Sequence, residues 1–314
     1  MSISELTMTA YSILDVLTAR FGDEVKTNVV LAPYTSARIG GRADIVVEAR
    51  NAEDLAQIVS LLWEEGIEPV VLGGGSNVLV SDKGIRGVTV INRAKDVRFD
   101  EGATPSVWAE SGVVFSNLAN RCALKGLAGL EWASTVPGTI GGAVYGNAGA
   151  FGGDMAGSLK WADVLTKAGR ERWPVEYLGY GDRTSLLKRG EREGVVLSGE
   201  LRLRASTQDE VSARMSAFGE QRKASQPPGA SMGSMFKNPA GDKAGRLIEA
   251  AGLKGRRVGN VEISTIHANF FVNRGRANAA DVKALIEVTQ RTVKAKLGVD
   301  LELEIELIGE GMES

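Results

Sequence analysis

The fold is decided at residues 70–82, which read VVLGGGSNVLVSD. An apolar, strand-like run enters a glycine triplet, and a second strand-like run leaves it. A dinucleotide fingerprint needs glycines at its first, third and sixth positions, ahead of a helix. Gly73 and Gly75 meet this pattern, but Val78 takes the sixth position and a strand is predicted after it. The sequence therefore does not predict a Rossmann turn. Without a Gly-Lys-Ser/Thr ending it does not predict a Walker loop either.

The glycine triplet keeps two interpretations open. Backbone amides of residues 73–75, together with the side chains of Ser76 and Asn77, could cradle a pyrophosphate. The same residues could form a tight turn between two strands. The chain has 39 glycines in 314 residues, above the usual share of about 7%, and many of them are clustered. Such clusters let a backbone approach a phosphate or a flat ring closely.

A second glycine-rich stretch, residues 129–153, reads GLEWASTVPGTIGGAVYGNAGAFGG. It holds eight glycines and few charges, so we expect a long loop that wraps a ligand. Asn147 would offer its amide to a flat polar edge. A purely structural loop is the alternative.

Outward from these stretches, apolar periodicity predicts a mixture of helices and strands without strict alternation. An amphipathic N-terminal helix is predicted from Leu6, Ile13, Leu14, Leu17 and Phe21. Further helices are predicted at 51–65, 114–127, 207–226, 244–255 and 278–298, with Asn51 and Asn278 as N-caps and Thr207–Glu210 as a capping box. Strands are predicted at 43–50, 67–72, 77–82, 88–93, 106–112, 194–204, 267–273 and 299–309. The predicted fold class is α+β.

Composition narrows the possible functions. The net charge of −2 gives no reason to expect nucleic acid or an anionic membrane as a partner. The one cysteine, Cys122, fits a reducing compartment and is predicted to be an inert core residue. The N-terminus does not have the pattern of a signal peptide, and no segment is apolar enough to span a bilayer. We therefore expect a cytoplasmic protein without a metal site, because His267 and Cys122 cannot supply a ligand cluster.

Several polar residues are candidates for chemistry. Ser234 lies in GASMGSMFKNPAG (229–241), but no Gly-x-Ser-x-Gly elbow surrounds it, and the only histidine, His267, is predicted to be structural. A role as proton donor stays open. Arg183 stands near Ser185. Strand periodicity would put Glu302, Glu304 and Glu306 on one face, and spacing alone does not choose among them.

Four stretches in this order resemble the UDP-N-acetylenolpyruvoylglucosamine reductase family: GGGSN, VPGTIGGAVYGNAGAFG, GSMFKNPAG followed by AGRLIEAAGLKG, and HANFFVN. The resemblance covers residues 34–310. It implies a two-lobed FAD-binding region related to vanillyl-alcohol-oxidase-type flavoproteins, followed by a smaller α+β substrate domain. The implied FAD-binding region is 1–205, with lobes of about 1–83 and 84–205. The substrate domain is 206–298, and the C-terminal strand 299–314 carries a catalytic glutamate.

The resemblance also implies site residues. The catalytic residues would be Arg183, Ser234 and Glu304, with Lys237 and Asn238 near the UDP-sugar. Non-covalent FAD would be held by Arg38, Ile39, Gly40, Gly41, Gly73, Gly74, Gly75, Ser76, Asn77, Pro137, Gly138, Thr139, Ile140, Gly141, Gly142, Asn147, Ala148 and Gly149.

The implied reaction reduces the enolpyruvyl ether of UDP-N-acetylglucosamine enolpyruvate with NADPH, giving UDP-N-acetylmuramate for peptidoglycan. Arg183 would stabilise the charge that develops on the substrate carboxylate. Ser234 would give its proton to the alpha carbon, and Glu304 could help when protonated. The alternatives are another flavin oxidoreductase on the same scaffold, or a UDP-sugar or flavin-binding protein without turnover.

The chain departs from the family pattern in places. Asp182 stands where the family usually has tyrosine, Leu187 replaces a common phenylalanine, Gly146 a methionine and Thr135 a glycine. Asp182 matters most, because a carboxylate turned inward would offset the charge of Arg183. On a strand, the two side chains would point to opposite sides. The short interval between Arg183 and Ser234 leaves little room for the tyrosine-bearing capping loop of longer members, so the chain resembles the shorter type.

Overall fold

The computed structural model describes residues 13–312, and Leu6 lies outside this range. Two compact units make up the described chain. Unit 1 comprises 13–27, Ile45–Gly74 and Gly87–Glu220, and unit 2 comprises Asn28–Asp44, Gly75–Arg86 and 221–312. The predicted domain boundaries at residues 205 and 298 stay predictions.

Helices and strands are interspersed along the chain, which confirms the α+β class. The helices are α1 (13–21), α2 (Ala52–Glu64), α3 (Phe115–Leu124), α4 (Ile140–Gly146), α5 (Met155–Ser158), α6 (Gln208–Ser225), α7 (Ala244–Ala250) and α8 (Ala279–Leu297). The strands are β1 (Val25–Val30), β2 (Arg42–Ala49), β3 (Val70–Leu72), β4 (Val78–Val80), β5 (Ile85–Asn92), β6 (Val97–Asp100), β7 (Ser106–Glu110), β8 (Leu127–Ala128), β9 (Gly149–Ala150), β10 (Gly153–Asp154), β11 (Leu159–Thr166), β12 (Gly169–Pro174), β13 (Val195–Arg202), β14 (Arg204–Ala205), β15 (Ala230–Ser234), β16 (Arg257–Val258), β17 (Val261–Ile263), β18 (Phe270–Asn273) and β19 (Glu306–Ile308).

Three sheets carry most of the strands. One has the order β1-β2-β5-β3, with β3 parallel to β5. Unit 1 holds an antiparallel sheet of order β12-β11-β13-β7-β6. Unit 2 holds an antiparallel sheet of order β15-β18-β17-β16 and the parallel pair β19-β4.

Each unit has its own apolar interior. In unit 1, the apolar face of α2 packs with alternating residues of β2 and β5, while α3 and α4 contribute to a second core with β7, β11 and β13. In unit 2, α7 and α8 pack with β17 and β18. Full burial of one such leucine or valine side chain stabilises a fold by about 1.5–3 kcal/mol, so these faces hold the scaffold of the site in place.

The predicted helix ends are confirmed where local chemistry decides them. The Asn51 side chain accepts a hydrogen bond from the Asp54 N–H at 2.8 Å, and that of Asn278 accepts one from Asp281 at 2.7 Å. Gly298 ends α8 in the left-handed conformation, with φ +74°. Each cap satisfies a backbone group that has no partner inside its helix.

The prediction of one strand over 299–309 is wrong. The Glu304 N–H donates to Met235 O at 2.9 Å, whereas the Glu306 N–H donates to Asn77 O at 2.9 Å. The chain therefore changes partner between these residues and bends there, and only Glu306–Ile308 forms a strand. The period of two ends at the bend. Glu302 is exposed, while Glu304 and Glu306 are half-buried.

The prediction of a long loop over 129–153 is wrong as well. The stretch contains the 3₁₀ turn Glu131–Thr135 and helix α4. Ile140, Ala143 and Val144 lie at helical spacing and are buried, so packing supports a helix despite its glycines. Asn147 ends this helix in the left-handed conformation, with φ +45°.

Candidate active site

In unit 1, two predicted cofactor stretches lie against each other. A Cβ on Gly73 would come within 2.4 Å of the Thr139 hydroxyl, and one on Gly74 within 2.8 Å of the Gly138 Cα. Only glycine permits this approach of the two backbones. Beside them, Gly142 is exposed, and the nearest atom to a Cβ there would be 3.9 Å away, so the α4 backbone is open to a flat group at this position.

In unit 2, Gly75 lies close to the segment that precedes Arg38. Gly75 has φ +56°, and a Cβ on it would lie 2.2 Å from Tyr34 O. Its carbonyl accepts a hydrogen bond from the Ser36 N–H at 2.9 Å. Arg38 also has a positive φ, +55°, a conformation that non-glycine residues seldom adopt outside functional sites and tight turns.

The start of α4 is tied to neighbouring backbone. The Ile140 N–H donates to Val113 O at 2.9 Å, and the Gly141 N–H donates to Ser111 O at 2.7 Å. Asn147 is also engaged: its Oδ1 accepts from the Ala156 N–H, and its Nδ2 donates to Gly181 O at 2.9 Å. The structure therefore assigns the Asn147 amide to joining the end of α4 to the residues around Arg183.

Arg183 lies in a tight turn, so the opposite orientation of side chains that a strand would give does not apply to Asp182 and Arg183. Gly181 and Thr184 close the turn by exchanging backbone hydrogen bonds of 3.1 and 3.4 Å. Arg183 takes φ +54°, which presents its half-buried side chain differently from a strand residue. Asp182 is exposed. Its side chain is therefore accessible to water rather than buried.

Side-chain hydrogen bonds anchor this turn. The Tyr180 hydroxyl donates to Val144 O at 2.8 Å, and the Ser185 hydroxyl donates to Tyr145 O at 2.6 Å. Both acceptors are carbonyls at the end of α4, where the helix leaves them without internal partners. Burial raises the pKa of Tyr180, with a further contribution from the charge of Asp154, so the phenol stays protonated and donates.

Ser234 ends β15 immediately after an irregularity. The β15–β18 register shifts between Ser231 and Ser234, and Gly233 has φ +77°. A β-bulge bends its strand and re-aims the next side chain, and glycine takes the left-handed position without strain. Met232 and Met235, on either side, are buried, while Ser234 is half-buried.

The structure brings Ser234 and Glu304 onto adjacent segments of unit 2. Besides the bond from Glu304 N–H to Met235 O, the Lys237 N–H donates to Glu302 O at 2.9 Å. Asn77 brackets Glu304, because its Nδ2 donates to Glu304 O at 3.1 Å and its carbonyl accepts from Glu306. A predicted cofactor residue is thus bonded to the backbone of the predicted catalytic glutamate. Arg183 belongs to unit 1.

The predicted substrate residues have partners within unit 2. The Lys237 ammonium lies 3.3 Å from the Glu302 carboxylate, an exposed pair worth about 0–1 kcal/mol. The Asn238 Oδ1 accepts from the Ala244 N–H at 3.1 Å and so caps α7.

His267 and Cys122 behave as structural residues. The His267 Nδ1 accepts from the Asn269 N–H at 3.2 Å, which requires a neutral ring. Burial, aided by the charge of Lys254, lowers the pKa of His267. Burial raises the pKa of the Cys122 thiol to about 12, so the prediction of an inert core cysteine is confirmed. Within residues 13–312, no group of three or more His, Cys, Asp or Glu residues could hold a metal ion.

Sequence reasoning missed two residues of this region. Tyr180 anchors the Arg183 turn, and Asn269 binds the backbone beyond Ser234. Gly233, directly before Ser234, was the one local feature that could have predicted the bulge. No local pattern indicated a hydrogen bond between residues far apart in sequence.

The family models match both parts of the chain. Residues 43–173 match the FAD binding domain, and residues 224–308 match the C-terminal domain of UDP-N-acetylenolpyruvoylglucosamine reductase. The reductase of Chloroflexus aggregans is 44% identical over 90% of this chain and 97% of its own length. That of Rubrobacter xylanophilus is 45% identical over 89% and 94%. The chain belongs to the UDP-N-acetylenolpyruvoylglucosamine reductase family.

A solved structure of a UDP-N-acetylenolpyruvoylglucosamine reductase agrees. The crystal structure of the Thermus caldophilus reductase superposes with a TM-score of 0.76 at 36% identity, covering 89% of this chain and 97% of that one. The predicted family, enzyme class and FAD cofactor are therefore confirmed: the chain is an FAD-containing reductase of peptidoglycan precursor synthesis. The close glycine backbones and the open face at Gly142 fit a flat cofactor with phosphates. No helix among the described residues is long and apolar enough to cross a membrane.

Proposed function

We propose that this chain reduces the enolpyruvyl ether of UDP-N-acetylglucosamine enolpyruvate with NADPH to form UDP-N-acetylmuramate. When bound, FAD would supply the hydride chemistry that links oxidation of NADPH to reduction of the carbon–carbon double bond of the substrate. Residues 73–77, 137–142 and 147–149, with Arg38–Gly41, hold the cofactor. Lys237 and Asn238 bind the UDP-sugar, and the reaction takes place in the cytoplasm.

Arg183 stabilises the negative charge that builds on the substrate carboxylate as the carbon beta to it gains hydride. A cation fixed before the reaction lowers the barrier more than one that must be brought into place. The support for this role is the anchored turn. The bonds from Tyr180 and Ser185 to α4 offset the cost of a left-handed arginine, which is of the order of 1–3 kcal/mol.

Ser234 donates its proton to the alpha carbon. A hydroxyl is a weak acid, but a carboxylate enolate is a strong base, so the step needs no histidine. Glu304, when protonated, donates a hydrogen bond to the same developing charge. The observation that carries the proposal is the 2.9 Å bond from Glu304 N–H to Met235 O, because it keeps the serine and the glutamate on adjacent segments.

The test separates two half-reactions. Purified, FAD-loaded protein is reduced without oxygen by NADPH, and the bleaching of the flavin absorbance is followed. UDP-N-acetylglucosamine enolpyruvate is then added, and we expect the absorbance to return with formation of UDP-N-acetylmuramate. A flavin that NADPH reduces but this substrate does not reoxidise would contradict the proposed substrate. A flavin that NADPH does not reduce, but NADH does, would contradict only the reductant.

A further inference from the structure

Asn269 directly precedes β18 and continues the pairing of β15 with β18 beyond Ser234. Ser234 pairs with Phe270, in a register shifted by one residue from the pairs before the bulge. The next residue, Met235, donates its N–H to Asn269 O at 2.8 Å. The Asn269 side chain then pairs with the next peptide group as the backbone of a neighbouring strand would. Its Oδ1 accepts from the Phe236 N–H at 2.9 Å, and its Nδ2 donates to Phe236 O at 2.8 Å.

The residues that form these hydrogen bonds are buried. Asn269 is 3% exposed and Phe236 is fully buried, so water cannot replace the amide. Buried peptide groups need a partner, and two parallel bonds from one planar amide define both position and orientation. The bulge before Ser234 shifts the ladder by one residue, and Asn269 continues the shifted register beyond Ser234.

The segment 235–237 is therefore hydrogen-bonded on both sides. Asn269 holds it on one side, and on the other side it bonds to Glu302 and Glu304. A shift of this segment would displace the Ser234 hydroxyl, whereas the backbone of Glu304 is also held by Asn77. The backbone N–H of Asn269 donates to His267 Nδ1, and this bond fixes the position of Asn269 itself.

We propose that Asn269 is a positioning residue for proton donation by Ser234. It acts through the peptide groups of Met235 and Phe236. This inference rests on the proposed function, since it assigns Asn269 to the step in which Ser234 gives its proton. A displacement of about 1 Å at a reacting group can cost about 10²-fold in rate.

The test variant is Asn269→Asp, which keeps the side-chain shape and an acceptor for the Phe236 N–H but removes the donor to Phe236 O. We expect FAD content and the rate of flavin reduction by NADPH to stay at wild-type values. Reoxidation by UDP-N-acetylglucosamine enolpyruvate should slow by about 10–10²-fold. Reoxidation at the wild-type rate would overturn the inference, whereas failure of wild-type protein to be reoxidised would overturn the proposed function instead.

A merely structural role is separated by combining variants. In a Ser234→Ala background, adding Asn269→Asp should slow reoxidation no further, because the group that Asn269 positions is gone. Multiplication of the two losses would overturn the inference. The control for stability is Val293→Ala, a fully buried position of α8 in the same core, which should lower Tm and leave reoxidation unchanged. Asn269→Ser, with a smaller donor, provides the same readouts when the aspartate variant does not fold.

Discussion

Ser234 and Arg183 are positioned by different means. Ser234 stands at the edge of a segment whose backbone is bonded on both sides, to the Asn269 region and to 302–304. Arg183 lies in a four-residue turn with φ +54°, and this turn is held by side chains that donate to the end of α4. One residue is placed by strand-like pairing, the other by local strain and side-chain anchors.

This difference predicts which substitutions should disturb each residue. Backbone pairing tolerates most side-chain changes, so the Ser234 segment should depend on the few residues whose side chains join the ladder. A left-handed arginine persists only while its surroundings determine it. The Arg183 turn should therefore respond to small changes at Tyr180, Ser185 and Gly149.

Among changes other than at Ser234 itself, the largest effect is expected from Arg183→Ala. Removing the preorganised cation should slow flavin reoxidation by substrate by about 10²–10³-fold and leave flavin reduction by NADPH intact. Stopped-flow absorbance measures both rates. The control is Arg192→Ala, an exposed arginine of the same connection between β12 and β13, which should match wild type. Equal losses in both half-reactions would assign Arg183 to cofactor binding instead.

Glu304→Gln should slow reoxidation by about tenfold or more, because the amide donates a weaker hydrogen bond to developing charge. Glu302→Gln and Glu306→Gln should be mild beside it. Glu302 is the sharper control, since its carboxylate is exposed and pairs only weakly with Lys237. Equal rates of reoxidation for all three variants would contradict the assignment of Glu304.

Gly149→Ala tests the anchored turn directly. A Cβ at this position would lie 2.9 Å from the Asp154 Cβ, 3.0 Å from Gly153 O and 3.2 Å from the Arg183 Nη1, so these neighbours, the guanidinium among them, have to give by a few tenths of an ångström. We expect reoxidation to slow by up to about tenfold, less than a full 1 Å displacement would cause. Gly146→Ala is the matched control: nothing lies within 4 Å of a Cβ there, and it should stabilise α4 by about 1 kcal/mol at most. Identical rates for both variants would show that Arg183 does not depend on this contact.

The smallest effect concerns stability at low pH. Burial lowers the pKa of His267, so as the pH falls the unfolded chain binds the proton first. The stabilising contribution is complete above about pH 6.5 and is lost as the pH falls below that value and through the lower pKa of the folded state. Thermal unfolding between about pH 7.5 and 5 should therefore show a steeper decline for wild type than for His267→Gln. His267 is the only histidine, and parallel declines would contradict this origin.

The elements that sequence predicted well are those decided by neighbouring residues. Asn51 and Asn278 cap their helices because the acceptor and the N–H lie three residues apart. The glycine triplet lies between two strands, without the helix of a Rossmann turn, as its spacing predicted. The family resemblance indicated Ser234, Arg183 and Glu304 as catalytic residues by their positions in the motifs, and their roles stay predictions.

What sequence could not predict depends on distant partners. The strict alternation of 299–309 suggests one strand, but Glu304 bonds to Met235 and Glu306 to Asn77, and no local pattern encodes that change of partner. Helix α4 was hidden by its glycines, since packing of Ile140 and Val144 overrides low helix propensity. The turn at Arg183 follows from anchors in α4, about forty residues earlier.

The central claim is that Ser234 donates a proton in the second half-reaction only. In Ser234→Ala, flavin reduction by NADPH should proceed at the wild-type rate. Reoxidation by UDP-N-acetylglucosamine enolpyruvate, followed by the return of flavin absorbance in the stopped flow, should slow by about 10²–10⁴-fold. Reoxidation of Ser234→Ala at the wild-type rate would contradict the account.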